Sequence, residues 1–343
     1  AADHAILSKC IRNKVVLVTG AGGSIGSELC RQIASLGPIK LLVMDQSEPA
    51  LYQVHRKLEN MGLCSVTPYL GSVSDAVRVN QVFAQHGVQT VYHAAAHKHV
   101  PLVESNIAEG VKNNILGTQT VATAAFNHGV ETFVLISTDK AVRPTNVMGA
   151  TKRWAEIVVQ NLAAKSDKTV FCAVRFGNVL GSSGSVIPLF KEQIANGGPV
   201  TVTHPEINRF FMSIHEAVEL VIQASSLAKG GEVFLLDMGE SVKIVDLARN
   251  MIRLAGLKPY DPLTGDGDIA IEFTGLRPGE KLFEELLIDN SNAEGTVHPK
   301  ILSANEPMNS EQEFVGLLEQ LLGCLERHAD HEARELLLKV ANP

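Results

Sequence analysis

Val15-Val16-Leu17-Val18-Thr19-Gly20-Ala21-Gly22-Gly23-Ser24-Ile25-Gly26 is the stretch whose reading decides the fold. Its first four residues form an unbroken aliphatic, β-rich run, the composition of a parallel strand buried on both faces. Glycines at 20, 23 and 26 then give a G-x-x-G-x-x-G turn. A helix is predicted over 27–35, with Ile25, Leu29, Ile33 and Leu36 on one face. Strand, glycine turn and helix in this order are the setting of a dinucleotide fingerprint. The glycines let backbone N–H groups approach a pyrophosphate, and the helix N-terminus adds partial positive charge. The glycine pattern alone is a weak signal; its place after the first strand gives it weight.

Working outward, Lys40 to Met44 is a second strand ending in Asp45, 19 residues past Gly26. A carboxylate there suits the adenosine ribose hydroxyls and repels a 2′-phosphate, favouring NAD over NADP. The plainer alternative is a turn aspartate at a strand end. Helices are predicted over 48–60 and 75–86, and strands over 65–69 and 88–93. Ala94-Ala95-Ala96 closes the latter, small enough to let a cofactor lie close. His97, Lys98 and His99 follow on a loop; the two histidines lack the further ligands a zinc site needs. A long helix is predicted over 104–126, broken near Gly110. A strand over 132–136 then delivers Ser137-Thr138-Asp139-Lys140, and a helix from Asn146 carries Met148 and Lys152. With a strand at 170–175, the regular alternation through residue 176 predicts an α/β chain with a Rossmann-type doubly wound parallel sheet, and the shorter elements after it predict a smaller C-terminal lobe.

Residue 177 opens a polar, glycine-rich loop to Ser185, and short elements follow. These are a helix at 187–196, a strand at 200–203, a helix at 215–227 and a strand at 232–237. Arg277-Pro278-Gly279-Glu280-Lys281 precedes a helix predicted over 282–287. One or two amphipathic helices fill 310–341, with His328 and His331 read as solvated. The expected division is a cofactor-binding domain at 1–176, a lobe at 177–300 interleaved with the main sheet, and a helical tail at 301–343.

The chain has 343 residues, of which 45% are hydrophobic and 20% charged, enough for a large core and too few charges for disorder. A net charge of -7 offers no general attraction to nucleic acid. Five scattered cysteines without a CxxC pair argue against a disulfide framework and for a reducing compartment. No apolar run reaches the roughly 18 residues of a membrane span. The chain opens on Ala-Ala-Asp rather than Met, the start expected of a fragment or of a chain with added residues at its beginning.

TGAGGSIG at 19–26, Asp45, HAAA at 93–96, NNILGT at 113–118, STDK at 137–140 and RPGEK at 277–281 together resemble the extended short-chain dehydrogenase/reductase family, over about residues 12–290. Within it, STDKAVRPTNVMGATKRWAE at 137–156 is similar to the UDP-N-acetylglucosamine 4,6-dehydratases of bacterial glycan biosynthesis. Met148 stands where the family's Y-x-x-x-K motif places tyrosine, which is similar to the long, membrane-anchored branch. The resemblance implies a lyase that makes a UDP-4-keto-6-deoxy sugar with C5 configuration retained, using NAD that is internally recycled. It implies the cytosolic domain of an inner-membrane protein whose N-terminal transmembrane region is absent, making no membrane contact itself. It also implies a homodimer, with helices 104–126 and 146–163 pairing across a two-fold axis.

Residue by residue, the resemblance assigns cofactor contacts to Gly20, Gly23, Ser24, Ile25, Gly26, Asp45, Ser72, Val73, Ala94, Ala95, Ala96, Asn114 and Lys152. Ser72 departs from the family's usual aspartate. UDP-sugar contacts fall to His97, Lys98, Asn178, Ser185, Val186, Arg209, Arg277 and Glu280. The catalytic set is Thr138, Asp139, Lys140, Met148 and Lys152. Elimination needs a base at C5 and an acid at the C6 oxygen. Lys140 and Asp139 are the candidates, on separate approaches to the sugar because direct pairing would hold both in the wrong protonation state. Met148 cannot take the C4 proton, so Asp139, or a water held by Thr138 and Lys152, is expected to. The competing readings are a C5-inverting dehydratase, a C4 epimerase without an elimination pair, and a non-catalytic NAD-binding regulator.

Overall fold

The computed structural model describes residues 4–286, 293–304 and 306–343. Nine strands build the central sheet: β1 Val15–Thr19, β2 Lys40–Asp45, β3 Ser65–Leu70, β4 Thr90–His93, β5 Thr132–Ile136, β6 Val170–Arg175, β7 Val233–Leu236, β8 Ala293–Gly295 and β9 Ile301–Ala304. Their spatial order is β8-β9-β7-β6-β5-β4-β1-β2-β3. Neighbours from β3 to β7 run parallel, while β9 lies antiparallel to β7 and β8 antiparallel to β9. This is the doubly wound α/β arrangement expected. The order reverses between β1 and β4, and ligands of such sheets bind beyond the carboxyl ends at that switch point.

Alternation along each strand sends side chains to two cores. Leu17, Val91, Phe133 and Leu135 face one; Val16, Val18, Tyr92 and Val134 face the other. A third core, with Phe190, Val200, Val202, Ile207, Ile252 and Ile269, belongs to the smaller lobe. The 177–300 segment is not a simple appendage as a whole, since β7 and β8 return from it to the main sheet.

Among the described residues, ten helices of eight or more residues matter here: α1 Ser24–Ala34, α2 Glu48–Met61, α3 Ala76–His86, α4 Gly117–Asn127, α5 Val147–Lys165, α6 Val186–Ala195, α7 Ile214–Leu227, α8 Ile244–Leu254, α9 Glu311–Glu326 and α10 Asp330–Ala341. Capping fixes several ends. Asp75 accepts from the Arg78 N–H at 3.0 Å to start α3, and Asn146 accepts from the Gly149 N–H at 2.8 Å to start α5.

Four expectations need correction. The predicted helix 104–126 is interrupted at Ser105-Asn106, not at Gly110, which is helical and leads into a π-helical turn at Val111–Leu116. Gly110 serves packing instead: a Cβ there would meet Val103 Cγ1 at 2.6 Å. The predicted helix 282–287 is irregular over 282–286, and residue 287 lies outside the described residues. Arg209 claims the carbonyls of Lys281 (2.9 Å) and Leu282 (3.3 Å), so this segment's backbone is turned toward a side chain rather than a helical ladder. The 301–343 segment opens with β9, a strand of the main sheet, before its two helices. Lastly, α5 is not free to pair across a two-fold axis, because residues 147–162 are all buried. The chain's own C-terminal helices cover it: Trp154 stacks near Phe314 and donates to the Leu337 carbonyl at 3.1 Å.

Candidate active site

A cleft of about 690 Å³ lies at the carboxyl ends of the strands, beside a pocket of about 130 Å³; Gly20, Gly23, Ala94 and Ala96 border both. The glycine turn at 20–26 and the Ala94-Ala95-Ala96 segment meet at the switch point. A Cβ at Gly20, whose φ is +61°, would lie 2.6 Å from Ala95 N, and one at Gly26 would lie 1.9 Å from the Gly20 carbonyl oxygen. Only glycine permits that approach. No side chain caps the start of α1, so its first N–H groups remain available to an anion. Ser24, Ile25 and Gly26 border the cleft.

Asp45 borders the smaller pocket with Gly71, Val73 and Ala95. Its Oδ2 accepts from the Gly22 N–H at 2.9 Å and its Oδ1 from the Ser47 N–H at 2.8 Å. The carboxylate therefore also braces the glycine turn, joining the functional and structural readings of this residue. Ser72 does not border the pocket; its hydroxyl turns back on Ser74 at 2.9 Å. Asn114 is completely buried and outside both walls. Its side-chain oxygen accepts from the His97 N–H at 2.8 Å, and its nitrogen donates to the His97 carbonyl at 3.0 Å. It pins the loop that brings His97 and Lys98 to the cleft. Burial pulls the Lys98 pKa down.

After β5 the chain makes a 3-10 turn, Asp139–Ala141, which folds neighbouring side chains together. Thr138 and Lys140 border the cleft, while Asp139 is wholly buried beneath them. Asp139 Oδ1 accepts from the Thr138 hydroxyl at 3.1 Å and from Lys140 Nζ at 3.0 Å. The separate approaches expected for Asp139 and Lys140 are thus not found; the tight turn makes them a direct pair. Lys140 Nζ also donates to Asn178 Oδ1 at 3.2 Å and lies 4.0 Å from Glu284 Oε1. Burial pulls the Lys140 pKa down, but Asp139 and Glu284 outweigh it and the net shift is upward. Asp139 Oδ2 has no hydrogen-bond partner among the described residues, and a Cβ at Gly177 would stand 3.0 Å from it.

Met148 and Lys152 rise into the same cleft from the first turns of α5. Met148 is buried among apolar neighbours and carries nothing that titrates. Burial lowers the Lys152 pKa to about 8 against the opposing pull of Glu156. Underneath, Glu156 accepts from Ser137 and pairs with Arg153 and Arg175. Nothing in the sequence marks Glu156 or Glu284, because a glutamate on a helix-forming run looks solvated until the fold buries it.

Other expected contacts part from the cleft. Asn178 and Ser185 border it, but Val186, Arg209, Arg277 and Glu280 do not. Val186 packs against the lobe's core. Arg209 pairs with Glu280 at 3.4 Å, and Glu280 accepts from the Arg277 backbone N–H at 3.0 Å. Among the described residues no helix is long and apolar enough to cross a membrane.

A family model described as "Polysaccharide biosynthesis protein" matches residues 16–306. The Staphylococcus aureus capsular polysaccharide biosynthesis protein CapD is 51% identical over 342 residues, covering 99% of this chain and 55% of CapD. The chain therefore spans about half the length of that relative. A UDP-glucose 4-epimerase of Rickettsia rickettsii (strain Sheila Smith) is 32% identical over 337 residues, covering 95% of this chain and 94% of the epimerase. Among solved structures, Pen from Bacillus thuringiensis aligns with a TM-score of 0.79 at 34% identity, over 88% of this chain and 90% of Pen.

Proposed function

The chain belongs to the polysaccharide biosynthesis protein family, an extended short-chain dehydrogenase/reductase family, and from that premise we propose that it is an NAD-dependent 4,6-dehydratase of UDP-N-acetylglucosamine that retains the C5 configuration. One observation carries the reading: a threonine hydroxyl, a buried aspartate and a lysine are hydrogen-bonded in series at the cleft edge, with a methionine in place of a titratable tyrosine. An epimerase needs no such elimination pair.

The residues fit the cofactor. The close-packed glycines and the uncapped start of α1 suit the pyrophosphate, Asp45 the adenosine ribose, and Lys152 the nicotinamide ribose. When bound, NAD+ supplies a hydride acceptor for sugar C4 and a donor for C6. The chain's own groups handle the protons. Thr138 lies between the cleft and Asp139, so the C4 hydroxyl proton passes to the Thr138 oxygen as the Thr138 proton passes to Asp139 Oδ1. Asp139, now protonated, returns a proton by the same route to the C6 oxygen, which leaves as water. Lys140 takes the C5 proton and returns to C5 a proton of its ammonium, which exchanges with solvent. Its ammonium is pinned by Asp139 and Asn178, so it serves one face of the sugar, and retention follows. General acid–base groups of this kind contribute about 10²- to 10⁴-fold each.

The test is incubation with UDP-N-acetylglucosamine in D2O, followed by NMR. The expected product lacks the C6 hydroxyl and carries deuterium at C5 with unchanged configuration. An intact C6 with inverted C4 would make the protein an epimerase, and inverted C5 would remove the one-face role of Lys140. Asp139→Asn with near-normal turnover would sink the relay.

A further inference from the structure

Glu284 lies on the irregular segment after Lys281 and is absent from the cleft wall. Its side chain is only 4% exposed, with Oε1 4.0 Å from both Lys140 Nζ and Arg209 Nε. Its Oε2 is buried and accepts no hydrogen bond among the described residues. The charged groups facing it are Asp139 and Lys140 from the 3-10 turn, Arg209 from the short strand Asn208–Arg209, and Lys281 from its own segment. Lys281 is engaged elsewhere, donating to the Val142 carbonyl at 2.7 Å and pairing with Glu285. Burial pushes the Glu284 carboxyl up, against the pull of Lys140, and Asp139 adds to the rise.

A buried carboxylate with an idle oxygen is costly to keep. The dehydratase reading, on which this inference rests, supplies a use. Lys140 begins as an ammonium whose charge is held by carboxylates, yet a C5 base must be neutral. Asp139 cannot hold the lysine's proton, because it receives the one from the C4 hydroxyl. Among the described residues Glu284 is the other carboxylate beside Lys140 Nζ, and closing the 4.0 Å separation by about 1 Å would make a hydrogen bond.

We propose that Glu284 is the positioning residue that takes the proton Lys140 must shed before it acts at C5. The step balances within the pair: Lys140 ammonium and Glu284 carboxylate become amine and carboxylic acid. Lys140 then takes the C5 proton and later returns to C5 a proton of its ammonium, whose hydrogens exchange with solvent. Glu284 finally hands its proton back to Lys140, restoring both groups. No net charge is created in the buried site, which is why the exchange stays cheap there.

Glu284→Gln keeps the shape and removes the proton acceptor. Single-turnover C4 oxidation, read from the absorbance of reduced nicotinamide, should change less than about twofold, whereas C5 deuteration in D2O should fall about tenfold or more at neutral pH. The variant's remaining C5 exchange should climb with pH, since solvent must now take the lysine proton. Glu284→Gln with unchanged C5 exchange and pH profile overturns the proposal. The unmodified protein gives a second reading should the variant not fold. Its C5 exchange should be nearly flat over about pH 6.5–8.5, and a rise of about tenfold per pH unit would show the proton going to solvent and overturn it. Unmodified protein that never deuterates C5 overturns the dehydratase reading itself, and this one with it.

Discussion

Two buried residues, Lys152 in the cleft wall and His93 at the end of β4, have opposite electrostatic tasks. Lys152 is buried on α5 one turn before Glu156, and burial brings its pKa to about 8 against the pull of that carboxylate. Lys152→Met should therefore cost function and not fold. NAD affinity and C4 oxidation should fall about 10²-fold or more, while the melting temperature stays level or rises because a buried charge has gone. Isothermal titration with NAD beside a thermal melt separates the two effects. His93 sits with no exposure between the Thr19 hydroxyl at 2.7 Å and the Thr118 hydroxyl at 3.0 Å. Burial, then Lys152, lowers its pKa from 6.5 to about 3. The unfolded chain takes up a proton in this window that the folded one refuses. Stability is full above pH 6.5 and lost as pH falls toward 3, by up to about 1.4 kcal/mol per pH unit. Urea midpoints across that range should show the slope, and His93→Asn should flatten its upper part.

At the scale of elements, α5 is the carrier of Met148 and Lys152, and it is held from outside its own sequence. Glu104 Oε2 accepts from the Val147 N–H at 2.8 Å, supporting the first turn of α5. Arg334 of α10 fixes that glutamate by donating to its other oxygen at 2.6 Å. Asn342 donates to the Pro144 carbonyl at 3.0 Å. Phe314, Leu318, Leu321, Ala333 and Leu337 complete the same core. Deleting residues 311–343 should uncover Trp154 and the apolar face around it, giving self-association and a lower melting temperature before any change in the cleft's residues. Sedimentation velocity and thermal melting would show it; a monomeric deletion variant of unchanged stability would contradict it.

At the scale of the whole molecule, one buried ion network ties the layers together. Glu156 of α5 pairs with Arg175 of β6 at 2.6 Å and with Arg153 at 3.0 Å. It also accepts from Ser137, at the end of β5, at 2.6 Å. Arg175 reaches on to Glu306 at 3.0 Å, just beyond β9. Burial alone would raise the Glu156 pKa, but the two arginines and Ser137 overcome it and bring it to about 2. This carboxyl is depressed from 4.5, so its contribution is present above pH 4.5 and lost as pH falls toward 2. Glu156→Gln leaves two buried guanidinium groups short of charge and should cost about 3–5 kcal/mol, measurable as a lower urea midpoint at pH 7.

The parallel sheet, its glycine turn and the run Ser137-Thr138-Asp139-Lys140 at a strand end were legible in the sequence. Each is local: an aliphatic run ends in glycine, and a strand end delivers an acid, a base and a hydroxyl. Backbone sterics and two-sided burial act on neighbours in the chain, so spacing alone carries that information. What the sequence could not carry was which charged groups meet. The 3-10 turn pairs Asp139 with Lys140, an irregular segment swings Glu284 to 4.0 Å from the same lysine, and Arg209 is drawn into ion pairs away from the cleft. The expected dimer face of α5 was lost the same way, covered by helices more than 140 residues downstream. Those outcomes depend on burial and on distances between remote segments, and Coulomb attraction and desolvation are set by distance and surroundings rather than by position along the chain.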